Sequence, residues 1–198
     1  NGKFFITESV KKELVDKPLK TKRFKLEAIQ SLQQINSNVI EVKSVEGIDE
    51  KTKELLTIAN KCFSYDGEYL TIVHYGEMET LAAALSLDAD AIVIDEKTTR
   101  LLIEDPKKLE KNLSHRMHRK ITLDNKNLDI FSKAVKGIKL IRSTELVIIA
   151  FNLGLFNKYS LPIPNANKEI LDALLWGLKL EGCAISEKEI RLISKSEK

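Results

Sequence analysis

Short apolar runs with strand character alternate with segments of helical periodicity along much of this chain, and this alternation constrains its fold most. The clearest unit is a helix predicted over residues 77–87, rich in alanine and leucine, which leads into a buried-type strand over residues 91–94. A second apolar strand, over residues 138–141, precedes an apolar helix over residues 145–156. Strands separated by helices of this length predict an α/β fold, with a parallel β-sheet flanked by helices on both faces.

The remaining segments of the core domain follow the same pattern. Thr7 is a good cap for a helix over residues 8–15, Pro18 is expected to end that helix, and Asp49 is expected to cap a later one. Phe24, Leu26, Ile29, Leu32 and Ile35 approximate helical spacing and predict an amphipathic helix over residues 22–36. Further strands are predicted over residues 4–6, 39–42 and 69–73.

Two segments look like additions to this frame. Residues 104–137 are helical in pattern and strongly basic, and residues 165–198, after Pro162 and Pro164, form a helical pair. Ser186 and Glu189 have the spacing of a capping box at the start of the last helix. We therefore predict an α/β domain over residues 1–160, with a basic helical insertion at 104–137, and a C-terminal helical appendage over residues 161–198.

Composition places the chain among globular proteins of the cell interior. Abundant Lys, Glu, Ile and Leu, with few Cys, suggests a thermophilic source. Cys62 and Cys183 are far apart and predict two free thiols rather than a disulfide. The longest apolar stretch, residues 146–156, is shorter than the ~20 residues needed to span a bilayer. We expect a cytoplasmic protein without a membrane partner.

Carboxylates are predicted to gather at one edge of the sheet. Glu77 begins a helix, Asp95 follows the strand after it, and Glu13 lies in a helix that starts at that same edge. Ligands of parallel α/β sheets bind at the carboxyl ends of the strands. An oxygen-only cluster of this kind suits Mg²⁺ or Mn²⁺ rather than zinc, and it would activate water at a scissile phosphate. The alternative is that each carboxylate is solvated or stabilises a helix start.

Three stretches of the sequence together resemble the PIN-domain family. They are residues 76–96, with Gly76-Glu77-Met78-Glu79 at one end and Ile94-Asp95-Glu96 at the other, residues 138–146, and residues 6–14. The order and spacing of these stretches are similar to those of the family's core, and the resemblance covers roughly residues 3–157 with the basic insertion interrupting it.

The resemblance implies a metal-dependent endoribonuclease, a toxin or an RNA-processing enzyme. Carried over by position, it implies Glu13, Glu77 and Asp95 as catalytic and metal-binding carboxylates, Glu79 and Glu96 as further metal ligands, and a hydroxyl near the site at Thr144. The implied cofactor is Mg²⁺ or Mn²⁺. The family's first aspartate lies on a strand before the matched region, and we expect that strand to lie upstream of Asn1.

The basic insertion supplies candidates for the RNA contact. Its exposed cations are expected to follow a phosphate backbone; they are Lys107, Lys108, Lys111, Arg116, Arg119 and Lys120. The alternative is a solvated helix paired with Glu104, Asp105 and Glu110. At the level of function, the alternative is a catalytically inactive PIN-like module that binds nucleic acid or a protein. A protein partner such as an antitoxin, or a second copy of the chain, remains open.

Overall fold

The computed structural model describes residues 2–159 and 162–196, and its elements are mixed α and β, as predicted. The α-helices are α1 Glu8–Lys11, α2 Lys17–Leu19, α3 Lys25–Asn36, α4 Ile48–Ala59, α5 Tyr75–Ser86, α6 Lys97–Glu104, α7 Pro106–Met117, α8 Asn125–Ala134, α9 Ser143–Asn152, α10 Ala166–Leu180 and α11 Glu187–Ser196. A π-helical segment, Lys12–Asp16, joins α1 to α2, and a 3₁₀ turn spans Asn157–Tyr159. The strands are β1 Phe4–Thr7, β2 Ile40–Lys43, β3 Phe63–Tyr65, β4 Glu68–Tyr69, β5 Ile92–Val93, β6 Thr122–Leu123 and β7 Leu140–Ile141.

The strands pair in three small sheets. β1 and β2 are parallel, with Phe4 opposite Ile40, and β5 and β7 are parallel, with Ile92 opposite Leu140. The third sheet is antiparallel, in the order β4-β3-β6. The predicted parallel pairing of strands that are joined through helices is therefore confirmed. Among the described residues, however, the strands form three separate sheets rather than the single sheet predicted.

The chain divides into two compact units. One comprises the residues up to Asp90 together with Asp105–Ile138, and the other comprises Ala91–Glu104 together with the chain from Lys139 onward. Most of the basic insertion therefore belongs to the first unit, where β6 pairs with β3 and α8 packs against α4. The C-terminal helices lie in the second unit, where α10 packs against α9 and α11.

Each unit has its own buried core. In the first unit α4 packs against α5, the large side chains of Phe63, Met78 and Phe131 are fully buried, and so is Leu81 at 2% exposure. The alanine-rich sequence of α5 allows the close helix contact, because Ala82, Ala83 and Ala84 are buried as well. Burial of these side chains is the main stabilising contribution to the unit.

In the second unit the C-terminal helices bury one face against α9. Leu171, Leu175, Ile185 and Ile190 are buried, and Ile148 and Phe151 of α9 pack against them together with Trp176 and Ile193. The predicted capping box is confirmed: the Ser186 amide donates to Glu189 Oε2 at 2.9 Å and the Glu189 amide donates to Ser186 Oγ at 3.2 Å. In the part of the chain that the structure describes, no helix combines the length and the apolar character that crossing a bilayer requires.

The strand predicted over residues 69–73 is much shorter, since β4 ends at Tyr69. The cause is the side chain of Asn60. Its Oδ1 accepts hydrogen bonds from the amides of Ile72 and Val73, at 2.7 and 3.0 Å, and its Nδ2 donates to the Val73 carbonyl at 3.1 Å. A side-chain amide therefore takes the place of a neighbouring strand for these backbone groups.

Two helix predictions also need correction. The first helical region continues past Pro18. It widens to the π-helical segment Lys12–Asp16, and α2 then begins at Lys17, so Pro18 lies in a first turn, where a missing amide hydrogen is tolerated. The next helix begins at Lys25 rather than Lys22, since Phe24 has a left-handed backbone with φ of 59°. In α3 the buried residue is Ala28, whereas Leu26 and Ile29 are exposed. Leu32 and Ile35 are half-buried, so only part of the predicted apolar face is covered.

Candidate nucleic-acid interface

The cationic surface of the first unit centres on α7. Asp105 caps this helix by accepting a hydrogen bond from the Lys108 amide at 3.0 Å, and Pro106 occupies its first position. Leu109 and Leu113 are buried on its inner side. We call the following six exposed residues the basic segment: Lys107, Lys108, Lys111, Arg116, Arg119 and Lys120.

In the part of the chain that the structure describes, these cations form no direct ion pair. Across residues 2–159 and 162–196, no carboxylate oxygen lies within 4.0 Å of a charged nitrogen of the basic segment. The acids proposed as their partners have other contacts: Asp105 caps α7, and Glu110 Oε1 accepts a hydrogen bond from the Leu123 amide at 3.2 Å. The alternative arrangement, in which these cations pair with Glu104, Asp105 and Glu110, is therefore not found among the described residues.

The far end of the basic segment is held by a turn and an aromatic ring. His118 ends α7 with a left-handed backbone, φ of 51°, and reverses the chain direction toward β6. The Arg119 guanidinium then lies 5.5 Å from the centre of the Tyr65 ring in β3, a cation–π contact that restricts the side chain. Tyr65 was not predicted as a site residue, since nothing in the sequence links it to a cation so distant along the chain.

In the first unit the predicted acidic residues occupy distinct environments. The Glu13 carboxylate is exposed, 3.8 Å from Lys17 Nζ, and it lies beside the backbone of Gly76, where an added Cβ would stand 3.8 Å from Oε1. Glu77, the next residue, accepts a hydrogen bond from the His74 amide through Oε2 and so caps α5. Glu79 is buried and accepts a hydrogen bond from the Ser9 hydroxyl.

In the second unit Asp95 and Glu96 follow β5. Asp95 Oδ1 accepts a hydrogen bond from the Ser143 amide at 2.9 Å, at the start of α9. Glu96 Oε2 accepts one from the Thr99 amide, at the start of α6. Burial opposes ionisation of Glu96, but the amide hydrogen bonds from Thr99 and Thr98 outweigh it and lower the pKa of this carboxyl.

Two other side chains lie near the end of β5. Burial raises the pKa of the Cys183 thiol, and the negative charge of Asp95 raises it further. Cys183 and Cys62 are both free thiols. Thr144 is buried, and its hydroxyl has no hydrogen-bond partner among the described residues.

The donor chemistry of the predicted carboxylates suits a hard cation such as Mg²⁺ or Mn²⁺, because all of their ligating atoms are oxygens. A metal site also requires that several such side chains lie close together. Within the described residues, no set of three or more His, Cys, Asp or Glu side chains is placed to hold a metal ion. Glu77, Asp95 and Glu96 each accept a hydrogen bond from a backbone amide at a helix start. Stabilising a helix start is the alternative role considered for these carboxylates.

Comparison of the chain with models of protein families, with curated proteins and with solved structures gives no match in any of the three.

Proposed function

We propose that this protein binds RNA and that the basic segment forms the contact to the phosphate backbone. The observation that carries this proposal is the state of the six cations: all are exposed, and none has an acidic partner among the described residues. Cationic side chains that are not engaged in ion pairs are available to replace the counterions that surround a polyanion, and release of those counterions favours binding.

The arrangement of the basic segment fits a backbone contact better than base recognition. Lys107, Lys108 and Lys111 project from one helix whose opposite side is anchored by Leu109 and Leu113. Lysine and arginine contacts to phosphate fix the position of the nucleic acid without reading its sequence. Binding should therefore depend strongly on salt and weakly on RNA sequence.

Charge-neutralising variants test this proposal. We would measure the affinity of the protein for a fluorescently labelled single-stranded RNA by anisotropy at low ionic strength. The Lys107→Gln/Lys108→Gln/Lys111→Gln variant should bind about tenfold more weakly or worse, because three phosphate contacts are lost. The control removes the same charge from the other unit, with the exposed lysines changed in Lys168→Gln/Lys188→Gln/Lys195→Gln. Equal loss in the two variants would show a net-charge effect and contradict the proposal.

A second candidate function is Mg²⁺- or Mn²⁺-dependent endoribonuclease activity, as the PIN-family resemblance implies. One observation in the first unit favours it. The Glu13 carboxylate lies beside Gly76, and Glu77 follows Gly76 in the sequence. A bound divalent ion would supply an activated water and stabilise charge on the phosphate. The described residues do not by themselves form a complete ligand set for such an ion.

Metal-dependent cleavage tests the second candidate. The protein is incubated with a pool of end-labelled RNAs in Mn²⁺ or in EDTA, beside Glu77→Gln, Asp95→Asn and a control variant, Glu54→Gln, at an exposed position of α4. Cutting that requires metal, persists in the control and disappears in the first two variants would support the nuclease. Binding without metal-dependent cutting would leave the protein an RNA-binding module.

A further inference from the structure

A second cationic surface lies in the turn between α2 and α3, residues 20–25. Lys20, Lys22, Arg23 and Lys25 are all exposed. None of them has a carboxylate within 4.0 Å in the described part of the chain. The Thr21 hydroxyl donates to the carbonyls of Pro18 and Arg23, at 3.1 and 2.9 Å. The turn is thus held by its own hydrogen bonds, and its charged side chains remain available.

One aromatic side chain stands among these cations. Phe24 adopts a left-handed backbone, φ of 59°, and its side chain is 42% exposed. A bulky residue seldom adopts this conformation, because its Cβ crowds the backbone. The Arg23 guanidinium carbon lies 4.6 Å from the centre of the Phe24 ring, which is the distance of a cation–π contact. The turn therefore presents an exposed aromatic ring with a cation beside it, in a segment that also carries three exposed lysines.

We propose that residues 20–25 bind an unpaired nucleotide of single-stranded RNA. Phe24 stacks on the base, Arg23 adds its cation–π contact, and the lysines bind the adjoining phosphates. Proteins that hold single strands combine a cationic surface with aromatic side chains in this way, and stacking accepts any base because every base has a π-face. This inference rests on the proposed RNA-binding function and adds to it a preference for single-stranded over double-stranded RNA.

An anionic lipid surface also attracts cations with an aromatic neighbour. RNA is favoured here because the exposed Phe24 ring can stack on a nucleobase, whereas a lipid headgroup offers no π-face. The same compact unit also carries the basic segment, so both cationic surfaces belong to one unit.

The test compares Phe24→Leu with Phe24→Tyr. Both remain large and apolar, but only tyrosine keeps the ring, and thermal unfolding of each variant checks that it is folded. We would measure binding to a labelled oligouridine single strand and to an RNA duplex of the same length. Phe24→Leu should weaken single-strand binding about tenfold and leave duplex binding unchanged, as expected for the loss of one stacked base. Phe24→Tyr should bind both like the wild type.

A spectroscopic arm reports stacking directly. Tryptophan fluorescence of Phe24→Trp should be quenched by oligouridine, whereas the wild type, whose one tryptophan is Trp176, provides the baseline. Equal single-strand binding by Phe24→Leu and the wild type, or absence of quenching, would overturn this inference. Binding to phosphatidylserine vesicles is measured as well, in competition with RNA. If Phe24→Leu loses vesicle binding but keeps its RNA affinity, the turn binds lipid and the inference is overturned.

The two proposals fail in different ways. If the basic-segment variant loses RNA affinity while Phe24→Leu does not, only the inference about the turn is wrong. If Phe24→Leu loses single-strand affinity while the basic-segment variant does not, only the proposed role of the basic segment is wrong. If the wild type binds no RNA at all, both are wrong.

Discussion

The backbone amide of Ser143 donates a hydrogen bond of 2.9 Å to Asp95 Oδ1, so the carboxylate at the end of β5 caps the start of α9. Asp95→Ala should lower the free energy of unfolding by about 1 kcal/mol, because it removes this acceptor. Asp95→Asn keeps an acceptor oxygen and should lose less, about 0.3–1 kcal/mol from the missing charge at the helix start. Urea denaturation of the two variants checks the order. Equal stability of Asp95→Ala and the wild type would contradict a capping role.

The contact between Ser9 and the buried Glu79 stabilises the first unit. Glu79 is 8% exposed, and the Ser9 hydroxyl donates a hydrogen bond to its Oε2. Ser9→Ala should lower the free energy of unfolding by about 1.5–3 kcal/mol, since it leaves a buried carboxylate without this donor. Glu8→Ala, at the exposed neighbouring position, is the control and should change stability by about 0.5 kcal/mol or less. A loss no greater in Ser9→Ala than in Glu8→Ala would argue against the contact.

The capping box of α11 predicts an acid-sensitive contribution to stability. Hydrogen bonds from the Ser186 amide and hydroxyl lower the pKa of Glu189, with a further contribution from Arg142. A carboxyl with a lowered folded-state pKa stabilises above its unfolded pKa, and this stabilisation is lost as the pH falls through the folded value. Glu189→Gln should therefore be less stable than the wild type at pH 7, and the difference should shrink toward pH 3. A difference that is independent of pH would contradict this assignment.

The buried thiol of Cys62 should make a contribution to folding stability that is lost at alkaline pH. Burial raises the pKa of its thiol from an ordinary 9.0 to about 12, with a smaller contribution from Asp124. The neutral thiol is favoured in the folded state, so its contribution is complete below pH 9 and declines as the pH rises toward 12. Between pH 9 and 10.5, the stability of Cys62→Ala should fall less steeply with pH than that of the wild type. Denaturation at both pH values gives the two slopes, and identical slopes would contradict the shift.

The elements that the sequence predicts correctly are those with local causes. The alanine-rich helix α5 and the strand after it follow from periodicity, and the Ser186–Glu189 capping box follows from spacing. Thr7 was also predicted to cap the first helix, and its hydroxyl accepts a hydrogen bond from the Val10 amide at 3.4 Å. In each case residues a few positions apart determine the structure, so a single sequence contains the necessary information.

Features with distant causes were not predictable. The end of β4 depends on Asn60, whose side chain bonds to the backbone of Ile72 and Val73. Residues 105–138 belong to the first unit through pairing of β6 with β3 and packing of α8 against α4. For the candidate site, the sequence identified the exposed cations of α7. It did not show that Glu110 would bond to the Leu123 amide, or that these cations would have no acidic partner among the described residues.

The salt dependence of RNA binding tests the central claim most directly. For the wild type and the Lys107→Gln/Lys108→Gln/Lys111→Gln variant, the dissociation constant for one single-stranded RNA is measured over a series of NaCl concentrations. Each phosphate contact adds about 0.7 to the slope of log Kd against log salt for a single strand. If the three lysines contact phosphate, the slope of the variant should be smaller by about 2. Parallel lines with the same affinity would contradict the claim that the basic segment binds the RNA backbone.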